Sequence, residues 1–234
     1  MYRYETHMHT APVSRCARAT VRENLEFYKS LGYDGVFITN HFLRGNINIE
    51  RALPYAERLA FYFSDYEEAL ALSDEIGIRV FLGVEITVTD GTDFLIFGLG
   101  REWYFAHPEI EAMKASELLS ALRDAGALVV QAHPFRQAAY IDHIHLFPDR
   151  TEAVEVYNAC RTELENTMAE LYAEKYGFLR TAGTDNHVAG ARTTLGGMEF
   201  NTPLHCEADF VTRVRSGEGQ IFKLELDLER SIWS

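Results

Sequence analysis

Four times along this chain a helical stretch stops at a glycine, a short apolar run follows, and the run leads to a histidine or an acid. Gly32 precedes Gly35-Val36-Phe37-Ile38-Thr39, which ends in Asn40-His41. Gly77 precedes the apolar stretch Ile78 to Val84, which ends in Glu85. Gly126 leads into Ala127-Leu128-Val129-Val130-Gln131 and then Ala132-His133-Pro134. Gly177 leads into Phe178-Leu179-Arg180-Thr181-Ala182 and then Gly183-Thr184-Asp185-Asn186-His187. Glycine supplies the left-handed conformation that ends a helix. A short, continuously apolar run predicts a strand covered on both faces. Strands alternating with helices predict an α/β fold with a mainly parallel sheet. The polar residues then gather at the C-terminal strand ends, where barrels and open α/β sheets place their sites.

The other elements fit the same plan. Thr20 to Leu31 predicts a helix with Val21, Leu25, Tyr28 and Leu31 on one face. Pro54 to Ile76 predicts a long helix whose Tyr55, Phe61, Tyr62, Phe63 and Tyr66 face the core. Ser116 is placed to cap a helix carrying Leu118, Leu119 and Leu122. Thr162 to Tyr176 presents Leu164, Met168 and Leu171 at helical spacing, and a last helix spans Glu207 to Arg215. Thr87 to Gly98 predicts a hairpin turned at Asp90-Gly91, and Ala153 to Val156 and Gln220 to Leu226 predict strands. No repeat or linker interrupts residues 1–234, which suits a single domain near the ~250-residue size of a β/α barrel.

Composition narrows the function classes. No apolar run approaches a membrane span, and the N-terminus lacks the basic-then-apolar order of a signal peptide. A cytoplasmic protein without a membrane partner is expected. Cys16, Cys160 and Cys206 are odd in number and far apart, which argues against a disulfide framework; Cys160 and Cys206 are expected to pack. The formal charge of -13 repels polyphosphate backbones, so a general nucleic-acid partner is unlikely on this ground. Bound divalent cations would reverse that field locally and attract a small anionic substrate.

The N-terminal stretch Thr6-His7-Met8-His9-Thr10 follows a short strand at Tyr2 to Glu5. Residues i and i+2 of a strand share a face, so His7 and His9 project together. With His41, Glu85, His133, Asp185 and His187 they form a set drawn from several strand ends. Five of the nine histidines lie at four of those ends, which points to a metal centre. Imidazoles mixed with carboxylates, without paired cysteines, suit zinc, manganese or iron. Arg44 and Arg136 follow site motifs closely and could clamp a phosphate, with solvated surface as the plain alternative. His107 is expected in a polar loop, and His143 and His145 at the rim.

As a set, His7-Met8-His9-Thr10, Ile38-Thr39-Asn40-His41, Gly83-Val84-Glu85-Ile86, Ala132-His133-Pro134 and Gly183-Thr184-Asp185-Asn186-His187 resemble the polymerase and histidinol phosphatase (PHP) domain family. The resemblance implies a distorted TIM-like barrel of about seven β/α units binding two or three divalent metals. It implies one metal on His7, His9, Glu85 and Asp185, a second shared by Glu85 and His133, and a third on His41 and His187. The chain departs from the family pattern in three places. Asn40 replaces the usual Asp, and Asp93 stands where a second-metal His is usual. Ser14, Arg15 and Cys16 occupy the remaining third-metal position, which makes Cys16 a candidate ligand.

The expected activity is metal-dependent hydrolysis of phosphate esters, small phosphorylated metabolites or short phosphodiesters, by metal-activated hydroxide. His41 or His187, where not ligating, would be the acid for the leaving group. Two rivals stand beside it: a C–N bond hydrolase using the same metal-activated water, and a non-catalytic metal-binding regulatory module. Oligomeric state is not legible in the sequence.

Overall fold

The computed structural model describes residues 1–89 and 91–226. The first half of the chain gives β1 (Tyr2–Met8), α1 (Val21–Ser30), β2 (Gly35–Ile38), α2 (Tyr55–Ile76), β3 (Arg79–Thr89) and β4 (Thr92–Phe97). Then come α3 (Arg101–Ala106), a 3-10 turn (Pro108–Glu111), α4 (Ala115–Asp124), β5 (Leu128–Gln131) and β6 (Ala153–Asn158). The chain continues through α5 (Glu163–Tyr176), β7 (Leu179–Gly183), β8 (Thr194–Phe200), α6 (Glu207–Arg215) and β9 (Gln220–Glu225).

The nine strands form one sheet in the order β7-β6-β5-β4-β3-β2-β1-β8-β9. The chain beyond β7 then returns to β1: Met8 bridges Asn186, Asp185 N–H donates to His7 O at 2.7 Å, and His9 N–H donates to Asn186 O at 2.9 Å. Strands β1 to β7 thereby make a nearly closed, distorted barrel, and the antiparallel pair β8–β9, joined through α6, hangs on the N-terminal half of β1. The expected parallel sheet is only half right. β1–β2, β2–β3, β5–β6 and β6–β7 are parallel, whereas β1–β8, β3–β4, β4–β5 and β8–β9 are antiparallel. For β4 the reversal enters at the β3–β4 hairpin, because a tight turn can join only antiparallel neighbours; β8 and β9 reverse separately, where the chain returns onto β1. Asp90 of the predicted turn lies outside the described residues; Gly91 takes a φ of 69°.

Local rules account for most of the elements. Thr20 caps α1 with a reciprocal capping box to Glu23, as Thr162 does for α5 with Glu165. Each such cap is worth about 1 kcal/mol. Val36, Ile38 and Val80 pack outward with Leu25 and Tyr28 of α1. Strand alternation therefore turns Phe37 and Phe81 inward, where they cluster with Tyr4, Phe97 and the α6 residue Phe210.

Several expectations are corrected. Glu85 lies in the middle of β3, not at its end, because the strand continues directly into the hairpin. Lys114, not Ser116, occupies the N-cap of α4, although Leu118, Leu119 and Leu122 are buried as expected. On α5 the stripe Leu164, Met168 and Leu171 faces outward, with Leu164 64% exposed. The helix instead buries Ala169, Tyr172 and Ala173 against Val154 and Val156, since two alanines let it approach β6 closely. Cys206 is exposed and heads α6, so it does not pack. His107, by contrast, is the loop residue expected, linking α3 to the 3-10 turn with its side chain beside Glu109 and 40% exposed. Strand β8 was also not anticipated; Gly196 and Gly197 dilute its apolar pattern. Among the described residues no helix is long and apolar enough to cross a membrane.

Candidate metal centre

His7 and His9 lie where β1 meets both β2 and the segment after β7, and both are fully buried. A side chain at Gly183 would bring its Cβ within 2.5 Å of His7 Cβ, so only glycine lets β7 approach β1 here. His133 and Asp185 take positive φ values of 27° and 60°, a conformation that side-chain-bearing residues rarely adopt. Such strain is characteristic of functional sites.

Hydrogen bonds decide which nitrogens face inward. Glu155 Oε1 lies 2.8 Å from His7 Nδ1. A carboxylate only accepts, so Nδ1 carries a proton and leaves Nε2 to the site. Ser14 sets the second ring. Its hydroxyl donates to Asn40 Oδ1 at 2.8 Å and so accepts from His9 Nδ1 at 3.2 Å. Asn40 is held in this orientation because its amide donates to Thr10 Oγ1 (2.7 Å) and to buried Asp65 (3.1 Å). An Asp at position 40 could not donate to Asp65, which gives the departure from the family pattern a local reason.

The result is two Nε2 atoms facing each other at 3.3 Å. A proton on His7 Nε2 would relieve that contact alone. Glu85, 1% exposed, would remain, and neither of its oxygens accepts a well-aligned hydrogen bond. Around it stand His7 Nε2 at 3.2 Å, His9 Nε2 at 3.6 Å, His133 Nε2 at 3.4 Å, and His41 Nδ1. Asp185 Oδ1 is 3.3 Å from His9 Nε2 and 3.6 Å from His7 Nε2. Ligand atoms about 2.1 Å from one ion lie roughly 3.0–3.4 Å apart, so this spacing suits shared cations.

Among the described residues three overlapping donor triads result: His7–His9–Asp185, His7–Glu85–His133, and His9–His41–His187. Within each, the donor atoms lie within 4.8 Å of one another. The residues present therefore fit divalent metals. The groupings differ from the implied ones mainly in that His9 joins His41 and His187.

The electrostatics agree. Burial opposes ionisation of Glu85, yet the positive charge of His41 holds its carboxyl well below the usual range. Burial likewise opposes ionisation of Asp185, and His7 and His9 overcome it. Burial and the positive neighbours His41 and His187 push His9 down to about 3, which keeps its imidazole neutral. Glu155 and Asp185 outweigh burial and raise His7 well above its ordinary value.

The remaining candidates surround a cavity of about 470 Å³ above these donors. Asp93 is 3% exposed, so it is no solvated hairpin acid. Its Oδ2 lies 4.0 Å from His133 Nε2, while Thr87 donates to Oδ1 at 2.6 Å and Arg136 to Oδ2 at 3.5 Å. Asp93 is outside the three triads. Cys16 lies against His187 and His41; burial opposes its ionisation, but bonds to both rings lower the thiol to about 6. Arg44 lines the cavity and donates to Met113 O at 2.7 Å. His187 is the most open of the imidazoles, 28% exposed at its side chain against 11% for His41. His143 and His145 are exposed and join no donor triad.

Sequence reasoning missed Glu155, Asn158 and Arg161. Glu155 accepts from His7 Nδ1, from His133 N–H (3.0 Å) and from Asn158 Nδ2 (3.0 Å). Asn158 Nδ2 also reaches Asp185 Oδ2 at 3.3 Å. One carboxylate thus ties ligands from three strands. Its signal was an acid between two valines in Ala153-Val154-Glu155-Val156. Arg161 lines the cavity with its NH2 3.9 Å from Asp185 Oδ2.

No family model matches the sequence, and no curated protein does. Solved structures match in fold. One is a two-domain protein from Bacteroides vulgatus containing a predicted PHP-like metal-dependent phosphoesterase. It aligns with 94% of this chain at a TM-score of 0.68 and 12% identity, and the chain spans 64% of its length. A lesion-specific endonuclease, EndoQ from Pyrococcus furiosus, aligns with 97% of this chain and 59% of its own at 0.63 and 14%. An amidohydrolase from Chromobacterium violaceum, solved with sulfate and no metal, aligns over 97% and 99% of the two chains at 0.57 and 14%. At these identities the likeness shows the fold.

Proposed function

We propose, from the PHP-type barrel this chain shares with those structures, that it hydrolyses phosphate esters with the help of divalent metal ions. The observation that carries the reading is the pair of imidazole nitrogens meeting at 3.3 Å beside unsatisfied Glu85, beneath an arginine-lined cavity. His7, His9, Glu85 and Asp185 would hold the first metal, with Glu85 and His133 on a second and His41 and His187, joined by His9 and Cys16, on a third. Asp93 would support the second from beside His133. Zinc, manganese and iron all suit such N/O donors. Bound there, the ions would neutralise phosphate oxygens and make water acidic enough to attack near neutral pH.

The protein's own groups then divide the remaining work. Arg136 and Arg161 orient the phosphate through charge-assisted hydrogen bonds, and Arg44 meets the substrate at the cavity wall. Where it does not ligate, His187 protonates the leaving oxygen. Its Nδ1 is engaged by Asp185 O at 2.8 Å, which directs Nε2 elsewhere. His41, the less open ring, is the alternative acid. The substrate class is a small phosphorylated compound or a short phosphodiester.

The amidohydrolase among the structural neighbours favours a second reading, cleavage of C–N bonds at the same centre. The arginines lining the cavity argue for an anion instead. Metal-loaded protein should release phosphate from members of a phosphomonoester and phosphodiester panel that includes oligonucleotide ends. Release of amine or ammonia from amide substrates, with no phosphate release, would overturn the reading.

A further inference from the structure

Beside the metal-centre cavity lies a second cleft of about 570 Å³. The two share Arg44 and Thr87 in their walls, so they adjoin. Their charges differ. The metal-centre cavity sets Arg44, Arg136 and Arg161 against Glu85, Asp93 and Asp185. The second cleft sets Arg44, Arg51 and Arg58 against Glu111 alone. Among the described residues it therefore keeps a positive surplus without any bound ion, in a chain of charge -13.

That surplus resides on two side chains. Arg58 is already satisfied: both terminal nitrogens bind the Glu111 carboxylate, and its Nε donates to Leu53 O at 3.0 Å. Arg44 uses one amino group on Met113 O and keeps the rest of its guanidinium for the cleft. Arg51 lines the cleft with no side-chain hydrogen bond or ion pair among the described residues. Two guanidiniums with spare donors in a concave wall suit a phosphate or carboxylate, which they can grip at two points. An isolated solvated arginine would need no concavity and no second cation beside it.

We infer that the substrate carries two anionic groups: the scissile phosphate at the metal centre, and a second held by Arg44 and Arg51 in the adjoining cleft. This rests on the phosphoesterase reading and narrows its substrate class to bis-anionic esters. Arg44, lining both spaces, sits at the passage between them.

The test compares α,ω-alkanediol bisphosphates of increasing chain length with n-alkyl phosphates of the same lengths. Wild-type protein should show a lower KM for the bisphosphates once the chain spans the two spaces, while alkyl phosphates show no such step. Arg51→Ala should remove that advantage, raising the bisphosphate KM roughly tenfold with little change in kcat, and Arg51→Lys should restore part of it. Arg51 is exposed, so neither variant endangers the fold. Equal KM shifts for both ester series, or none, would overturn the inference while leaving the phosphoesterase reading intact. If neither series is hydrolysed, that reading fails instead. Calorimetric binding of the bisphosphate to wild type and Arg51→Ala then decides the subsite: weaker binding by the variant supports it, and equal binding overturns it.

Discussion

The chain contains two pairs of histidines at the same spacing, His7/His9 and His143/His145, and the fold treats them in opposite ways. The first pair is fully buried, with ring nitrogens converging to 3.3 Å and carboxylates from β3 and the end of β7 closing over them. The second lies exposed between β5 and β6, with ring centroids 6.2 Å apart. Spacing alone does not make a metal site. The first pair stands where a strand end meets its neighbours, so acids far away in sequence arrive on the same spot. The second stands on a segment without regular structure and joins no donor cluster among the described residues.

The sharpest way to break this contrast is to remove an acid rather than a histidine. Asp185→Ala should abolish hydrolysis, a loss of a thousandfold or more given the several kcal/mol that bound metals supply. His143→Ala should change turnover and stability within about 0.5 kcal/mol, as surface substitutions do. Elemental analysis of protein purified without chelator should find at least two divalent metals per chain, and fewer in Asp185→Ala. Wild-type turnover with full metal in Asp185→Ala would show that the acid is no ligand.

Metal removal is the next largest effect. Ions present at a hundred times their dissociation constant stabilise by about 2.7 kcal/mol. Chelation should therefore lower the melting temperature by roughly 5–10 °C for a chain of this size, reversibly on re-addition. Scanning calorimetry reads this directly; an unchanged melting temperature would mean that no ion holds the strand ends together.

Glu155→Gln sharpens the comparison, because the first pair has this hidden support and the second has none. The carboxylate accepts from three donors, whereas the amide nitrogen of glutamine can accept from none of them. Metal affinity should fall about tenfold to a hundredfold, the usual cost of losing a partner behind a ligating histidine. Lower thermal stability with unchanged metal affinity would reduce Glu155 to scaffolding. A smaller effect is expected from Asp93→Asn. Affinity at the second metal should drop while the first is spared, with activity returning at higher manganese, since a carboxylate favours manganese or iron over zinc. Stepwise titration calorimetry checks it, and unchanged affinity at both steps would leave Asp93 as a partner of Thr87 and Arg136 only.

Much of this was legible in the residues themselves. Glycine stops and apolar runs located β2, β3, β5 and β7, and the histidines and acids after or within them bring donor atoms within 4.8 Å of one another. What escaped was set by tertiary context. One antiparallel strand, β4, follows from the hairpin, and the others, β8 and β9, come from the return of the chain onto β1, which no local pattern reveals. On α5, Leu164, Met168 and Leu171 had the right period on the wrong face, because alanines rather than large side chains allow close approach to β6. Glu155 looked like an ordinary strand residue until His7, 148 positions away, was seen against it.

The stitching of Asp185 and Asn186 to His7 and His9 has a consequence for how the protein is made. A ribosome delivers His7 and His9 long before Asp185, which lies 178 positions beyond His7 (185 − 7). At roughly 5–20 residues per second the imidazoles wait on the order of ten seconds for that carboxylate. Throughout that interval the ring is open at β1, and closing so long a loop carries its entropic cost before any ligand contact repays it. Ion capture by the full donor set would therefore follow closure of β1 to β7 rather than seed it, and a loaded centre would certify a closed barrel.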